Sequence, residues 1–429
     1  MTRTPALLGG TPLIDRTFGP YRSMGPDEEA AVMRVMKSDC LSGFFGSWED
    51  GFLGGPEIQA FEAEWAARFE AAHAVTVNSA TSGLIAAMGA AGVSPGDEVI
   101  VPATTMSATA MAPIVYGGIP VFADIDEDTF CIDMDSVRAN LSARTRAIIA
   151  VNLFGQAAPL AELRALCDER GIVLVEDNAQ GPLATENGDY CGTIGHIGVF
   201  SLNYHKHVHT GEGGVCTTDD AGLAERLQMI RNHAEAIVGP AKVENLTNML
   251  GFNFRMTELS AAVGRVQLAN IDTHVSRRED FARELSDAAR GLDGLTVPHV
   301  RPDCRHVYYV WTARFDAEAA GMPRATFVAA LEAEGVPCFP AYVAPLYQLP
   351  IFRKRIAMGR DGFPFNLTDR SYDDGLCPVA ERLHREEIVG IEPCAYDFAP
   401  GDAAKIADAI AAVLEARDAL AGWNGADAA

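Results

Sequence analysis

Short apolar segments alternate with amphipathic segments between residues 56 and 235, and this alternation restricts the fold more than any other feature of the chain. The apolar segments predict strands at 74–78, 98–101, 120–125, 147–152 and 172–176. The intervening segments predict helices at 57–69, 81–92, 107–116, 133–141 and 159–171. Strands that are apolar throughout are buried on both faces, so the pattern predicts an α/β fold with a mostly parallel sheet flanked by helices.

The chain beyond about residue 275 follows a different pattern and predicts a second, smaller module. Strands at 197–202 and 213–218 complete the first module, and helices at 221–233, 257–271 and 272–291 lead out of it. Strands at 295–300 and 307–316, a helix at 323–335, an extended segment at 336–343 and a helix at 402–421 indicate an α+β module. We therefore predict an N-terminal arm and loop over 1–55, a large domain over 56–285 and a smaller domain over 286–429.

The arm ends in a loop, residues 40–56, that is rich in glycine and aromatic residues. Loops of this length and composition are usually packed by their own side chains. We therefore predict a packed loop, with a contact to substrate or to a second subunit as the alternative.

Composition and charge exclude several classes of function. The chain of 429 residues has a formal net charge of −24, which argues against a nucleic-acid or anionic-membrane partner. Its nine cysteines are dispersed without metal-site spacing, which is typical of reduced thiols in a cytoplasmic protein. No signal-peptide pattern begins the chain, and no stretch reaches about 18 uninterrupted apolar residues. We predict a soluble cytoplasmic protein without a metal site.

Lys206 stands between the strand predicted at 197–202 and a Gly-Glu-Gly-Gly turn at 211–214. Lysine is scarce, with five residues in the whole chain, while arginine supplies most of the positive charge. A primary amine loses its proton and forms a Schiff base with an aldehyde, which a guanidinium does not do. A surface lysine in a turn explains the same spacing equally well, so the neighbouring motifs must decide.

Three groups of polar residues follow predicted strands, and ligands of open parallel sheets gather at such strand ends. Residues 78–83 open a helix with small residues and free N–H groups that suit a phosphate, although an ordinary helix cap explains them too. Residues 176–180 begin with two carboxylates that suit a protonated ring nitrogen, or that are simply solvated. Ser201 and Lys206 follow the third strand. A phosphate cradle, a carboxylate and a reactive lysine together are what pyridoxal 5'-phosphate (PLP) needs.

A dinucleotide site agrees less well with the sequence. No G-x-G-x-x-G motif follows the first strand, and the glycine-rich turn at 211–214 does not open an obvious helix.

Four motifs in the same order resemble those of the DegT/DnrJ/EryC1/StrS sugar aminotransferases, a family of the fold-type-I PLP-dependent superfamily. They are Val-Glu-Asp-Asn-Ala-Gln at 175–180, Phe-Ser…Lys…Gly-Glu-Gly-Gly at 200–214, Arg-Asn-His at 231–233 and Gly-Phe-Asn-Phe-Arg-Met-Thr-Glu at 251–258. The resemblance extends from residue 7 to roughly residue 347. It implies a large PLP-binding domain followed by a smaller α+β domain.

The resemblance also implies roles for single residues. Lys206 matches the lysine that bonds the cofactor and moves a proton, and Asp177 matches the partner of the pyridine nitrogen. Gln180 matches the residue near the ring hydroxyl. The residues that match phosphate ligands are Ala80, Thr81 and Ser201. Asn253 matches an asparagine that reaches the cofactor phosphate of a neighbouring subunit, which implies a homodimer with shared active sites.

The sequence departs from the family pattern in two places. Met106 stands where many members stack an aromatic residue on the cofactor ring; a thioether also covers a ring face. His205, His207 and His209 alternate around the lysine, and on a strand they would share one face. A metal site made from them lacks a suitably spaced carboxylate or cysteine, so we favour substrate contacts or packing.

We therefore expect a PLP-dependent aminotransferase that passes through pyridoxamine 5'-phosphate. The donor is L-glutamate or L-glutamine, and the acceptor is a keto-sugar or keto-cyclitol, with a nucleotide-linked sugar and an 8-keto-octulosonate both open. Aromatic residues that line the acceptor pocket or belong to the core are Phe44, Phe45, Trp48, Tyr190, Tyr342 and Tyr347. The alternatives are a sugar dehydratase dependent on PLP or pyridoxamine phosphate, a branch in which histidine replaces the lysine, and a PLP-binding regulator without turnover.

Overall fold

Fourteen strands and sixteen α-helices make up the structure, a computed structural model that describes residues 3–423. The strands are β1 (His73–Val77), β2 (Glu98–Pro102), β3 (Ile119–Ala123), β4 (Thr145–Val151), β5 (Val173–Asp177), β6 (Thr185–Glu186), β7 (Asp189–Tyr190), β8 (Ile197–Ser201), β9 (Gly214–Thr218), β10 (Leu295–Thr296), β11 (Cys304–Arg305), β12 (Trp311–Phe315), β13 (Cys338–Phe339) and β14 (Ile388–Ile391).

The helices range from single turns to five turns. They are α1 (Pro26–Ser38), α2 (Pro56–Arg68), α3 (Ala80–Ala90), α4 (Ala108–Met111), α5 (Met134–Asn140), α6 (Leu160–Arg170), α7 (Ala221–Arg231), α8 (Ala234–Ile237), α9 (Glu258–Ala269), α10 (Ile271–Ala289), α11 (Ala317–Ala320), α12 (Arg324–Ala333), α13 (Pro350–Arg353), α14 (Pro378–Arg382), α15 (Asp402–Glu415) and α16 (Arg417–Leu420). Within residues 3–423, none of them has the length and apolar character that crossing a bilayer requires.

The central sheet has seven strands in the order β1-β9-β8-β5-β4-β2-β3. Strands β8, β5, β4, β2 and β3 run parallel, while β9 lies antiparallel between β1 and β8. Val99, Ile100 and Val101 in β2 are fully buried, as expected for a strand covered on both faces. The predicted α/β fold with a mostly parallel sheet is confirmed.

The second sheet is antiparallel in the order β10-β12-β14-β13, and its predicted strands are too long. The strand predicted at 307–316 begins only at Trp311, because Tyr308 has a φ of +51° and the chain before it is not extended. Of the segment predicted at 295–300, only Leu295–Thr296 forms a strand. The segment at 336–343 contracts to β13, since Pro340 follows it and lacks an N–H.

The sequence analysis missed β14, although it pairs with both β12 and β13. The strand contains only four residues, and its central Gly390 weakens any strand pattern. The ring of Phe339 lies against that glycine, and a Cβ at Gly390 would come within 2.2 Å of it. Packing between neighbouring strands therefore fixes β14, and this contact is not visible in the local sequence.

Two predicted helices are each divided in two. The segment at 107–116 forms α4 followed by a 3-10 turn that begins at Pro113, whose missing N–H interrupts the α-helical hydrogen bonds. The segment at 402–421 forms α15 and α16, with the break at Ala416.

Two clusters of buried apolar residues surround the two larger sheets, and α10 contributes to both. Ile271 and Val275 belong to the cluster around the central sheet, and Phe281 and Leu285 belong to the cluster around the second sheet. The predicted domain boundary between residues 285 and 286 falls within this helix and stays a prediction. Residues 1–2 and 424–429, at the outer ends of the predicted arm and C-terminal domain, lie outside the described residues.

The loop at 40–56 is held to the central module by two polar side chains. The Asn232 amide donates to the carbonyl oxygens of Phe45 (2.8 Å) and Phe52 (3.3 Å). The buried Glu258 carboxylate accepts an N–H from Gly55 (3.1 Å) and another from the first turn of α2. The loop therefore has a fixed path, which places it beside the start of α9.

Candidate active site

A cavity of about 230 Å³ opens where β4, β5 and β8 end, next to the start of α3. Parallel strands that end at one edge bring their last side chains together there. The residues that the sequence analysis selected and that line this cavity are Ala80, Thr81, Met106, Asp177, Gln180, Ser201 and Lys206. Asn253 does not line it.

Lys206 lies in the turn after β8, where its backbone N–H donates to the carbonyl of Asn203 (2.9 Å). Its Nζ atom lies 4.2 Å from the ring centroid of Tyr309. Burial lowers the pKa of Lys206 to about 8, and the nearby Asp177 carboxylate acts in the opposite direction. A substantial fraction of the amine is therefore neutral just above neutral pH, which suits a group that must both accept and release a proton.

The two carboxylates at the end of β5, Glu176 and Asp177, have different hydrogen-bond partners. Asp177 Oδ2 accepts from the Thr109 hydroxyl (2.7 Å), and Oδ1 accepts from the Ala179 N–H (3.2 Å). Burial raises the pKa of Asp177, and these hydrogen bonds and the charge of Lys206 oppose the rise. Glu176 instead accepts the N–H groups of Gly192 and Gly195, both at 2.6 Å. Asp177 therefore faces the cavity, and Glu176 fixes a loop.

The start of α3 leaves two backbone N–H groups open beside the cavity. Ser79 caps the helix by accepting from the Ser82 N–H (3.0 Å), while the N–H groups of Ala80 and Thr81 have no hydrogen-bond partner among residues 3–423. A Cβ at position 214 would come within 2.8 Å of the Ala80 nitrogen, so Gly214 keeps that donor accessible. Such a cradle of free N–H groups fits the phosphate of PLP.

Gln180 and Tyr342 form one side of the cavity. Gln180 Oε1 accepts from the Phe154 N–H (2.7 Å), and its Nε2 donates to the Tyr342 hydroxyl (2.9 Å). Burial raises the pKa of Tyr342 to about 12, so its hydroxyl stays protonated at neutral pH. The other aromatic residues that the sequence analysis considered for the pocket do not line this cavity in the described part of the chain.

Met106 and Asn253 differ in their relation to the cavity. Met106 lines it and is 58% exposed, so its thioether is available to cover a bound ring. Asn253 is exposed and lies outside it. Its Oδ1 atom accepts from Arg255 Nε (2.9 Å), and its carbonyl accepts from the Asn78 amide (3.3 Å).

The three alternating histidines do not share one face, because residues 203–212 form turns and not a strand. His205 lines the cavity, and burial lowers its pKa to about 4. His207 is fully buried, with Nε2 2.8 Å from the Val307 carbonyl oxygen, and His209 Nε2 lies 3.1 Å from the Ser23 hydroxyl. Among residues 3–423, no group of three or more His, Cys, Asp or Glu side chains is arranged to hold a metal ion.

The sequence analysis missed two residues that contact the predicted site residues. Thr109 donates to Asp177, and the hydroxyl-rich segment from Thr104 to Thr109 is a signal that could have identified it. Tyr309 contacts Lys206, and no local pattern identifies it, because the contact depends on packing between distant parts of the chain.

The groups around the cavity suit each part of PLP: an amine for its aldehyde, a buried carboxylate that accepts from its protonated ring nitrogen and open N–H groups that donate to its phosphate. With the fold described above, they define a PLP-dependent aminotransferase. The model of the DegT/DnrJ/EryC1/StrS aminotransferase family matches residues 47–391, and the chain belongs to this family. The match begins later than the predicted residue 7 and continues beyond residue 347.

Similar proteins of known activity agree with this assignment. The chain is 33% identical over 437 residues to an L-glutamine:2-deoxy-scyllo-inosose aminotransferase of Streptomyces kanamyceticus, covering 97% of this chain and 98% of that protein. It is 34% identical over 333 residues to a dTDP-3-amino-3,4,6-trideoxy-alpha-D-glucose transaminase of Streptomyces venezuelae, covering 77% and 82%. A solved aminotransferase from Psychrobacter cryohalolentis matches with a TM-score of 0.80 and 28% identity, covering 94% of this chain and all of that chain.

The hydrogen bond from Thr109 to Asp177 generates a prediction about cofactor affinity. Thr109→Val removes the donor, so the pKa of Asp177 rises further and the carboxylate loses charge toward the ring nitrogen. A hydrogen bond to a charged group contributes about 1.5–3 kcal/mol, so we expect PLP to bind roughly tenfold to a hundredfold more weakly. Fluorescence titration of cofactor-free protein with PLP measures this.

Thr104→Val is the matched control, since the Thr104 hydroxyl is buried without a hydrogen-bond partner among the described residues. It should bind PLP with wild-type affinity. Equal affinity in Thr109→Val and Thr104→Val would contradict the role of this hydrogen bond.

Proposed function

We propose that this aminotransferase moves an amino group from L-glutamine or L-glutamate to a keto-sugar or keto-cyclitol. The observation that carries the proposal is the Lys206 amine, which faces the same cavity as the buried Asp177 carboxylate and the open start of α3. The activities of the two similar Streptomyces proteins, one on a cyclitol and one on a nucleotide-linked sugar, support the acceptor class.

Lys206 and Asp177 carry the chemical roles in this proposal. Bound PLP supplies an aldehyde that bonds amines and a protonated ring that withdraws electrons from the neighbouring carbon. Lys206 would bond the cofactor. Once free of that bond, its amine would move a proton between the substrate carbon and the cofactor carbon in each half-reaction, which its lowered pKa of about 8 favours. Asp177 keeps the ring nitrogen protonated, since an opposite charge stabilises the cationic form.

The remaining predicted residues would bind and orient the cofactor. The N–H groups of Ala80 and Thr81, with the hydroxyls of Thr81 and Ser201, are proposed to hold its phosphate. Gln180 is proposed to lie near the ring hydroxyl, and Met106 to cover the exposed ring face. Each of these side chains or backbone groups lines the cavity, which supports the assignment.

The size and charge of the acceptor are the finer part of the proposal. In the basic cluster at 353–355, Arg353 pairs with Asp374, and Arg355 donates to the backbone carbonyl of Arg370 (2.6 Å). Two of the three basic side chains in this cluster are therefore already paired within the chain. This argues against the cluster as a binding site for the phosphates of a nucleotide. We therefore favour a cyclitol or free keto-sugar, including an 8-keto-octulosonate, over a nucleotide-linked sugar.

Two other activities have less support. A sugar dehydratase of the related branch would carry histidine in place of the lysine, whereas Lys206 occupies that position and His205 lies beside it in the same cavity. A PLP-binding regulator without turnover would not need a lysine with a lowered pKa facing a buried carboxylate.

Incubation of the PLP-loaded protein with L-glutamine or L-glutamate tests the donor half of the reaction. We expect the absorbance band of the lysine-bound cofactor to shift to shorter wavelength, with release of the corresponding keto acid. A keto-cyclitol or keto-sugar should restore the first spectrum and appear as its amine by mass spectrometry. Lys206→Ala is the control and should show neither change. A protein that binds PLP but responds to no amino donor would contradict the proposal.

We also propose that the enzyme is a homodimer with shared active sites. Asn253 is expected to contact cofactor phosphate but lies outside the cavity of its own chain, which supports a contribution across an interface. Six large apolar side chains on α1 and on the loop at 40–56 are exposed, and such a surface is typical of an interface. They are Met33, Met36, Leu41, Phe45, Trp48 and Leu53.

Heterodimers made from two differently tagged chains test the shared site. When one chain carries Lys206→Ala and the other Asn253→Asp, one site keeps both native residues, so about half of the wild-type activity should remain. When one chain carries both substitutions and the other is native, each site lacks one residue and activity should be lost. The reverse pattern would show that Asn253 serves the site of its own chain.

We further propose a cytoplasmic location. All nine cysteines are free thiols in the structure, which supports a reducing compartment. Mass spectrometry of the native protein tests this, because a disulfide between any two of them would argue against that location.

A further inference from the structure

Tyr309 lies directly against the amine of Lys206, although the two residues belong to different parts of the chain. Its ring is 5% exposed, and its centroid lies 4.2 Å from Lys206 Nζ. Tyr309 precedes β12 in the second sheet, whereas Lys206 follows β8 in the central sheet. The contact therefore joins the two modules at the cavity.

His207 fixes the turn of Lys206 to the segment that carries Tyr309. Its Nε2 atom is 2.8 Å from the Val307 carbonyl oxygen, so Nε2 carries the proton and donates. The ring centroids of His205 and His207 lie 6.2 Å and 6.3 Å from that of Tyr309. The tyrosine ring is thus about equally distant from the two histidine rings and contacts the lysine that separates them in the chain.

The charge of the Lys206 amine depends on several neighbours. The titratable groups that face it are Asp177, Glu392, Cys394, His205 and His207. Burial lowers the pKa of both histidines, to about 4 for His205 and about 3 for His207, so they are neutral at neutral pH. The Tyr309 ring face is uncharged, yet it attracts a cation within about 6 Å of its centroid.

We propose that Tyr309 is a positioning residue whose ring face holds the protonated amine of Lys206 whenever that amine is not bonded to the cofactor. The inference rests on the proposed role of Lys206. An amine that takes a proton from one carbon and returns it to another within a half-reaction must stay in the cavity while it holds that proton. The Tyr309 ring, 4.2 Å from Lys206 Nζ, stabilises the protonated amine and so keeps it in the cavity. An aliphatic side chain of similar size would favour only the neutral amine.

The rate at which cofactor-free protein captures PLP, measured against pH, tests this inference. Only the neutral amine attacks the aldehyde, so the rate rises with pH and its midpoint reports the pKa of Lys206, expected at about 8. Tyr309→Leu removes the ring and destabilises the cation, so the midpoint should fall by about 0.5 to 1.5 pH units. Tyr309→Phe should keep a midpoint near that of the wild type.

A series of variants can carry phenylalanines with increasing numbers of fluorine atoms at position 309. Each keeps the shape of the ring, but the attraction of the ring face for a cation weakens along the series. The midpoint should fall steadily along this series, and the series gives the answer even where Tyr309→Leu does not fold. Tyr308→Leu is the matched control, since Tyr308 stacks on His306 (centroids 4.0 Å apart) and not on the lysine. Its midpoint should equal that of the wild type.

A midpoint that is constant along the fluorinated series would overturn the inference. The assay requires neither the amino donor nor the keto acceptor. A protein whose pH midpoint for PLP capture falls along the fluorinated series, but which does not transaminate, would therefore refute the proposed function alone. Equal capture by Lys206→Ala and the wild type would refute the proposed role of Lys206, and the inference with it.

Discussion

The candidate active site depends on holding one primary amine, that of Lys206, in a cavity at the end of a parallel sheet. Burial disfavours the charged form of Lys206 and lowers its pKa to about 8, while Asp177 and the ring of Tyr309 favour the cation. Near neutral pH the two forms are therefore close in free energy. A group that bonds an aldehyde in one step and carries a proton in another requires this balance.

The fold supplies each partner of the amine from a different element. Asp177 comes from the end of β5, the turn of Lys206 follows β8, and Tyr309 precedes β12. Glu176, the neighbour of Asp177, is fully buried and accepts backbone N–H groups from the loop at 192–195. That loop packs against β9 and β8. The Gly192 carbonyl oxygen accepts from the Thr217 hydroxyl of β9, and a Cβ at Gly198 in β8 would come within 1.8 Å of the same oxygen. A change in the sheet would therefore displace the site as a whole.

The sequence predicts those parts of the structure that are determined locally. Continuous apolar segments are sufficient to find the parallel strands, and a carboxylate or lysine just after such a segment lies at the edge where ligands bind. For this reason the local sequence is sufficient to propose Asp177, Ser201 and Lys206 as candidate site residues, and all three line the cavity. The resemblance to a known family added Gln180, which no local physical argument selects.

Other features depend on contacts between distant residues and were not predictable in this way. Tyr309 reaches Lys206 only because the second sheet packs against the central module, and β14 forms only because β12 and β13 lie on either side of it. The histidines around Lys206 alternate as in a strand, but His207 turns inward to the Val307 carbonyl, and that bond fixes a turn instead. The role of Asn253 toward a second subunit stays a prediction, because it concerns an interface outside a single chain.

The most direct test of the central claim is to find which residue bonds the cofactor. Borohydride reduction of the PLP-loaded protein makes the bond permanent, and digestion followed by mass spectrometry locates it. The account predicts one modified peptide per chain, with the added mass on Lys206. Modification of Lys37, Lys242, Lys354 or Lys405 instead, or the absence of any modified lysine, would contradict it.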